Sequence, residues 1–247
     1  MRWLILSDIH ANLEALKAVL AEAARDGFDK IACCGDVVGY GADPNACTEW
    51  VRSSVPYIVR GNHDKAGSGL DDLEWFNPAA RNSAFWTQQT LTPENLAYLR
   101  AMPKGPLEIG GFQIVHGSPL DEDEYLLSAS EASQLIGYLE TRVSFFGHTH
   151  LQGGFQFHRS KVIELNPVEL DQDRLELTLH PDCHYLINPG SVGQPRDGDP
   201  RAAWSIYVPE ERLVIYRRTP YDIPAAQEKI KAAGLPTMLA HRLAVGH

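Results

Sequence analysis

The sequence has no run of about 18 apolar residues, the length that a helix needs to cross a membrane. It also shows no secretion signal. The apolar stretch at residues 3–6 runs directly into polar Ser7 and Asp8, and no small-residue cleavage site follows. We therefore expect a cytoplasmic protein without a membrane segment.

Cysteine is scarce, and its four residues show neither C-x-x-C spacing nor the density of a disulfide scaffold. We expect reduced, mostly buried side chains at Cys33, Cys34, Cys47 and Cys183. A G-x-S-x-G motif is missing as well, which disfavours a serine hydrolase.

Acidic residues outnumber basic ones: the sequence has 32 Asp and Glu and 22 Lys and Arg, which gives a formal net charge of -10 at pH 7. An acidic balance opposes non-specific nucleic-acid binding, which requires Lys and Arg to displace counterions. We expect no stable nucleic-acid complex, and a nuclease acting on long DNA or RNA is a weak alternative. A phosphate substrate remains compatible with this charge, since bound cations make a site locally positive.

A length of 247 residues suits one α/β domain. Strands and helices alternate over the first 60 residues in a βαβαβ order, which predicts a parallel sheet covered on both faces. Residues 67–105 differ: Asn77 and Thr92 each precede a proline, which is typical of a helix start, so two inserted helices are expected. The predicted strands are 3–7, 30–34, 57–59, 112–115, 143–146, 155–157, 175–179, 185–187, 204–208 and 213–216, and further helices are predicted after Asn12 and at 44–52, 131–139 and 225–233.

Five of the predicted strands end in residue types that bind metal ions. In open α/β sheets the carboxyl ends of the strands form one ligand-binding crevice, so these clusters are expected to converge. Each cluster alone has an ordinary explanation as a helix cap, a turn or an interior histidine. Five in order at successive strand ends predict one shared site. They are Asp8 with His10, Gly35 with Asp36, Gly61 to Asp64, His116 with Gly117, and Gly147 to His150.

These motifs resemble those of the calcineurin-like metallophosphoesterase superfamily, whose signature is D-x-H, G-D, G-N-H-[DE], H and G-H-x-H in that order. The match covers residues 4–150, and residues 188–197 are similar to a small bacterial, phosphodiesterase-like branch of that family. The resemblance implies a four-layer α/β/β/α sandwich. It also implies one metal ion held by Asp8, His10, Asp36 and His150, and a second held by Asn62, His116, His148 and the shared Asp36.

The resemblance makes His63 the candidate that protonates or stabilises the leaving oxygen, with Asp8 or Asp64 nearby to orient it. Imidazole and carboxylate ligands suit two divalent or mixed-valence ions of Mn, Fe, Zn or Ni, whereas Mg and Ca favour an all-oxygen shell. A hydroxide bridging the two ions would attack phosphorus. We expect a small phosphate ester, with a phosphodiester or small nucleotide ahead of phosphomonoesters and dinucleoside polyphosphates. The alternative is a non-catalytic scaffold protein of the same fold, against which the complete ligand set argues.

Substrate contacts have weaker signals. Arg196 is a candidate for a phosphate oxygen, with a surface ion pair as the alternative, and Tyr40 is a candidate for stacking, with core packing as the alternative. Residues 67–105 either cover the site and set substrate choice or only pack onto the core. The acidic run 121–124 is expected to be a solvated loop. Further aromatic candidates are Trp75, Phe76, Phe85 and Trp86.

Overall fold

The computed structural model describes residues 1–74, 76–166, 169–170 and 172–247. Two six-stranded sheets stack face to face, and helices cover their outer faces, so the expected four-layer α/β/β/α sandwich is confirmed. In spatial order, the first sheet contains β3 (Tyr57–Ile58), β2 (Lys30–Cys33), β1 (Trp3–Leu6), β11 (Ala202–Val208), β12 (Leu213–Thr219) and β9 (Arg174–Thr178).

The second sheet is built around a central group of three parallel strands, β5 (Phe112–Ile114), β6 (Val143–Phe145) and β10 (His184–Asn188). Two antiparallel strands extend it beyond β10, and one flanks β5 on the other side. In spatial order, its strands are β4 (Leu107–Ile109), β5 (Phe112–Ile114), β6 (Val143–Phe145), β10 (His184–Asn188), β7 (Gly153–His158) and β8 (Lys161–Leu165).

The prediction of a parallel first sheet with helices on both faces is wrong beyond its first three strands. β1, β2 and β3 are parallel, but β11 pairs antiparallel with β1, and the inner face packs on the second sheet. Leu4 and Leu6 pack on the helix side, whereas Trp3 and Ile5 face the second sheet. A strand that is buried on both faces has a continuous apolar sequence, whether its second face packs on helices or on another sheet. The sequence therefore could not distinguish the two arrangements.

The helix starts follow the capping signals of the sequence. Asn12 accepts a hydrogen bond from the amide of Ala15, and Asn77 and Thr92 cap the two inserted helices in the same way. The helices are α1 (Leu13–Asp26), α2 (Pro44–Ser54), α3 (Asn62–Ser68), α4 (Pro78–Thr90), α5 (Pro93–Ala101), α6 (Ala129–Ser133), α7 (Ile223–Ala232) and α8 (Thr237–Leu243).

The helix predicted at 131–139 is shorter and starts earlier. Ser128 and Glu131 form a capping box that begins α6 at Ala129, and a separate 3₁₀ turn follows at Ile136–Tyr138. Leu135 is buried but Ile136 is exposed, so the apolar residues here do not form one continuous helical face. Short elements that the sequence did not predict are α3, α8, β4 and β8.

The inserted helices join the outer helix layer. Leu99 of α5 is fully buried in the same cluster as Leu4 and Val51, so α5 belongs to the core of the domain. The four cysteines are free and buried, as predicted. Among the residues that the structure describes, every helix is too short or too polar to cross a membrane.

Candidate metal centre

The loops after β1, β2, β3, β5 and β6 meet at one edge of the sandwich. They bring together all the residues predicted as metal ligands, and the histidines and aspartates among them are buried. Convergence of the strand ends is therefore confirmed. The seven residues are Asp8, His10, Asp36, Asn62, His116, His148 and His150.

One group of candidate ligands contains Asp8, His10, Asp36 and His150, whose ligand atoms all lie within 4.8 Å of one another. His10 Nε2 is 2.9 Å from His150 Nε2. The carboxylate oxygens approach the same two nitrogens, with Asp36 Oδ2 3.6 Å from His10 Nε2 and Asp8 Oδ1 3.4 Å from His150 Nε2. Two carboxylates and two imidazoles thus face a common point.

A second group contains Asp36, His116 and His148, again within 4.8 Å. His148 Nδ1 lies 3.1 Å from His116 Nε2, and Asn62 Oδ1 lies 3.2 Å from the same nitrogen. Asp36 Oδ2 is 3.4 Å from His116 Nε2. Asp36 is therefore common to both groups and lies between them.

The orientation of His10 and His150 fits a cation between them. Their Nδ1 atoms lie 3.0 Å from the carbonyl of Val38 and 2.6 Å from the carbonyl of Gln194, so each Nδ1 carries the proton. Burial lowers the pKa of both imidazoles well below the usual value, so neither Nε2 is protonated. Two lone pairs at 2.9 Å repel each other unless a positive ion lies between them.

The carboxylates also fit a cation. Asp8 Oδ2 and Asp36 Oδ2 are buried and have no hydrogen-bond partner among the described residues. Burial alone would raise the pKa of Asp36, but His116 and His63 hold it well below its usual range. Burial raises the pKa of Asp8 to about 7, against the opposing influence of His116. Buried, unpartnered carboxylate oxygens are costly unless a positive charge compensates them.

The backbone at the site is strained. Of the ten described non-glycine residues with positive φ, six are candidate site residues. Gly61 and Gly147 permit the close approach of the loops, because a Cβ would lie 2.0 Å from Asp36 Oδ1 at Gly61 and 1.9 Å from Ser7 Oγ at Gly147. The six strained residues are Asp8, His10, Asp36, Tyr40, His148 and His150.

Asp64 organises the loops from behind. Its carboxylate accepts hydrogen bonds from the amides of Asp36, Val37, Val38 and Gly61 at 2.8 to 3.2 Å. It therefore joins the loop after β2 to the loop after β3, and a carboxylate with four N–H donors is not available to orient His63.

His63 lies between two aromatic rings. The Tyr40 centroid is 4.3 Å from its ring, and the Phe76 centroid is 5.2 Å away at an interplanar angle of 85°. Its Nδ1 has no hydrogen-bond partner among the described residues, so the expected orientation by Asp8 or Asp64 is wrong. Packing between rings replaces it, and burial lowers the pKa of His63 to about 4.

Arg196 and Tyr40 lie at the edge of the first ligand group. Arg196 Nη2 is 3.2 Å from the Tyr40 hydroxyl, and the guanidinium lies 5.6 Å from the centroid of the Tyr40 ring. Gln194 Oε1 accepts a further bond at 2.9 Å. The Tyr40 ring is 4.7 Å from that of His10. Within the described part of the chain the hydrogen-bond partners of Arg196 are Gln194 and Tyr40, and its role in binding phosphate stays a prediction.

A cavity of about 290 Å³ opens beside the second ligand group. The segment between α3 and α4 and the loop at 118–126 form its walls, so part of the predicted insertion does border the site. Phe85 is 56% exposed and Trp86 packs near α7 and α8, whereas Trp75 lies outside the described residues. The lining residues are Tyr40, Asn62, His63, Asp71, Phe76, Asn77, Ala80, Asp123, Tyr125 and His148.

The acidic run at 121–124 was predicted to be a solvated loop. In the structure it packs against the site instead. Arg60 donates two bonds of 3.0 Å to Glu122, and Lys65 Nζ lies 2.5 Å from Asp123. The Asp123 carbonyl is 3.1 Å from His148 Nε2. Arg60 and Lys65 flank the G-N-H-D motif. Their positive charges were the only feature of the sequence that pointed to a contact with the acidic run.

Tyr125 is another site residue that the sequence did not reveal. Its ring centroid lies 3.8 Å from that of His148, with an interplanar angle of 36°. It follows the acidic run in a loop without periodicity, so no sequence pattern singled it out. Together with Asp123 it forms one wall beside the second ligand group.

Residues 1–210 match the model of the calcineurin-like phosphoesterase superfamily domain, and the chain belongs to this family. An uncharacterized protein of Methanocaldococcus jannaschii is 37% identical over 98% of this chain and 97% of its own length. The crystal structure of a metallophosphoesterase from Sphaerobacter thermophilus is 41% identical, with a TM-score of 0.88 over 100% of this chain and 99% of that one. A hypothetical protein from Pyrococcus horikoshii OT3 shares the fold, with a TM-score of 0.79 at 19% identity over 100% and 98% of the two chains.

Proposed function

We propose that the protein hydrolyses a small phosphate ester at a centre of two transition-metal ions. The observation that carries this proposal is the arrangement of two buried ligand groups that share Asp36. Asp8, His10 and His150 would complete the first site with Asp36. Asn62, His116 and His148 would complete the second.

The mixed nitrogen and oxygen donors favour Mn, Fe, Zn or Ni over Ca. When bound, such ions would activate a water for attack on phosphorus and compensate the charge of the phosphoryl oxygens. The two buried aspartates bring two negative charges, so two divalent ions would leave the site positive and suited to an anionic phosphate.

Three side chains of the protein would bind and orient the ester. Arg196 would donate to a phosphoryl oxygen, since its guanidinium reaches the Tyr40 hydroxyl beside the first ligand group. Tyr40 would hold that guanidinium and also pack against His63. Burial lowers the pKa of His63 to about 4, so its ring is neutral at pH 7, and its N–H would donate a hydrogen bond to the leaving oxygen.

The cavity beside His63 offers room for the organic group of the ester. Within this class we place a diester or a small nucleotide ahead of a simple monoester. A long nucleic acid is disfavoured by the net charge of -10. The cytoplasmic location stays a prediction.

The test combines elemental analysis of purified protein with hydrolysis of paired aryl phosphate mono- and diesters, before and after addition of Mn, Fe, Zn or Ni. We expect close to two bound ions per chain and metal-dependent turnover, with the diester preferred. A protein that holds both ions yet hydrolyses neither ester would overturn the proposal in favour of a non-catalytic role.

A further inference from the structure

His148 of the second ligand group is oriented by a backbone carbonyl. Its Nε2 atom lies 3.1 Å from the carbonyl oxygen of Asp123, and its Nδ1 atom lies 3.1 Å from His116 Nε2. A carbonyl oxygen only accepts hydrogen bonds, so Nε2 carries a proton and Nδ1 is the nitrogen that faces the ligand group. The position of the Asp123 carbonyl therefore decides which nitrogen of His148 an ion would meet.

The carbonyl partner of His148 belongs to a loop, residues 118–126, that has neither helix nor strand. The partner of His116 is different, because the Cys34 carbonyl, 2.8 Å from His116 Nδ1, directly follows the core strand β2. A carbonyl in an irregular loop keeps its place only where other contacts fix the loop. The orientation of His148 thus depends on whatever anchors residues 118–126.

Lys65 is that anchor. Its Nζ atom lies 2.7 Å and 2.5 Å from the two carboxylate oxygens of Asp123, and 3.2 Å from Glu122 Oε1. Lys65 lies in α3, three positions after the candidate ligand Asn62. It therefore ties the loop that orients His148 to the helix that carries Asn62.

The ammonium group of Lys65 is shared by two carboxylates. Lys65 is only 8% exposed, so its ion pairs are partly shielded from solvent. Arg60 also binds Glu122, whereas the ion pair that Asp123 forms within the described residues is with Lys65. Removal of the ammonium would leave Asp123 beside Glu122 without a shared cation, and like charges repel.

We propose that Lys65 is a positioning residue for the second metal ion. By holding the side chain of Asp123, it keeps the Asp123 carbonyl on His148 Nε2 and so directs Nδ1 toward the ion. The inference rests on the two-ion centre of the proposed function. The histidines of the first ligand group, His10 and His150, are oriented by carbonyls of other loops. Loss of Lys65 should therefore weaken one metal site and spare the other.

The test compares metal occupancy of the parent protein with that of Lys65→Met, which keeps an aliphatic side chain and removes the charge. Each protein is dialysed against a series of free Mn²⁺ concentrations, and bound Mn per chain is measured by elemental analysis. Loss of a residue that orients a ligating histidine typically costs 10- to 100-fold in metal affinity. Lys65→Met should weaken one of the two binding steps by about tenfold or more and leave the other unchanged.

Three further variants serve as controls. Lys65→Arg restores a cation for Asp123 and should bind both ions. Lys231→Met removes an exposed ion pair with Glu228 and should behave like the parent protein. Asp123→Asn breaks the same pair as Lys65→Met from its 48% exposed side and keeps the backbone carbonyl, so it should also weaken one step. Normal affinity for both ions in Lys65→Met or in Asp123→Asn would overturn the inference.

A double-mutant cycle with His148→Ala shows whether the effect of Lys65 passes through His148. His148→Ala alone should lose the same binding step that Lys65→Met weakens. Addition of Lys65→Met to His148→Ala should then leave the affinity for the remaining ion unchanged. A further loss in the double variant, or equal weakening of both steps by Lys65→Met alone, would mean a general effect on the fold and would overturn the inference.

Ester hydrolysis by the same preparations separates this inference from the proposed function. A parent protein that binds two Mn ions and hydrolyses no ester, while Lys65→Met weakens one step, would refute the proposed function alone. A parent protein that hydrolyses the ester, while Lys65→Met holds both ions as tightly as the parent does, would refute the positioning role alone.

Discussion

The imidazoles of His10 and His150 meet nitrogen to nitrogen, with their Nε2 atoms 2.9 Å apart, although 140 positions separate them in the sequence. Both rings are fixed by backbone carbonyls at their other nitrogen. This arrangement gives the site its donor geometry before any ion enters, because the protein holds the two lone pairs toward the same point.

Removal of metal with a chelator should abolish ester hydrolysis while the protein stays folded. The two sheets and their helices bury large apolar clusters that do not include the candidate ligands, unlike a zinc finger, which is unfolded without its ion. Circular dichroism before and after chelation, followed by metal addition, checks this. A chelated sample that loses its helical signal would contradict it.

Replacement of Asp36 by Asn should reduce bound metal and abolish turnover, since Asp36 belongs to both ligand groups and one charge between two cations is lost. Elemental analysis and hydrolysis rates are measured on the same preparation. Asp182→Asn, at an exposed position, is the control and should behave like the parent protein. Two-ion occupancy with normal turnover in Asp36→Asn would refute the shared-ligand assignment.

His63→Ala should retain both metals yet lose roughly 10²- to 10³-fold in rate, because it removes a hydrogen-bond donor to the charge that develops on the leaving oxygen. The loss should be smaller for a nitrophenyl ester than for an alkyl ester, because a good leaving group needs less help. His158→Ala, in an exposed strand end, serves as the control. Equal losses for the two esters would assign His63 another role.

The Glu122 cluster should stabilise the fold in a pH-dependent manner. Burial alone would raise the pKa of Glu122, but hydrogen bonds and ion pairs with Arg60 and Lys65 lower it overall. A lowered folded pKa adds stability that is fully present above the unfolded pKa of about 4.3 and is lost as the pH falls through the folded pKa. Glu122→Gln should thus lower the free energy of unfolding by about 1 kcal/mol at pH 7.

Urea unfolding at a series of pH values checks this difference, which should shrink below about pH 4. Glu140→Gln, at an exposed position, should show no such difference. A Glu122→Gln deficit that is as large at pH 3 as at pH 7 would mean that packing, and not the ion pairs, is responsible.

Leu99→Ala should cost about 2 to 5 kcal/mol of unfolding free energy, because it removes a fully buried side chain from the core. This tests whether α5 is part of the domain core instead of a removable cover. Leu70→Ala, at a side chain that is 49% exposed, should change stability little.

Because α5 contributes Leu99 to the core, replacing residues 67–105 by a flexible linker would uncover that core. Point variants in the cavity are therefore the better test of specificity.

The sequence predicted well which candidate metal ligands the fold brings together, because these residues follow strand ends, where local patterns are strong. Asp8, Asp36 and His116 each come after an apolar strand, and parallel strands bring such ends together. The same patterns did not predict that β11 inserts beside β1, because strand order depends on long-range pairing.

The residues behind and beside the centre could not be predicted from local pattern. Asp64 looks like an ordinary turn residue in the sequence, and only the fold places four amide donors around it. Tyr125 and Lys65 lie in segments without periodicity, and their roles arise from contacts with His148 and Asp123. Such tertiary contacts have no signature in one sequence.

The insertion of β11 between β1 and β12 also bears on how the protein is made. β1 is synthesised well before the strand that pairs with its edge, Ala202–Val208, which follows roughly 200 residues later. Until then Asp8 and His10 lie next to an open sheet edge, which invites pairing with other chains. Assembly of the candidate metal centre, which needs His148 and His150, and closure of that edge therefore both wait for the second half of the chain.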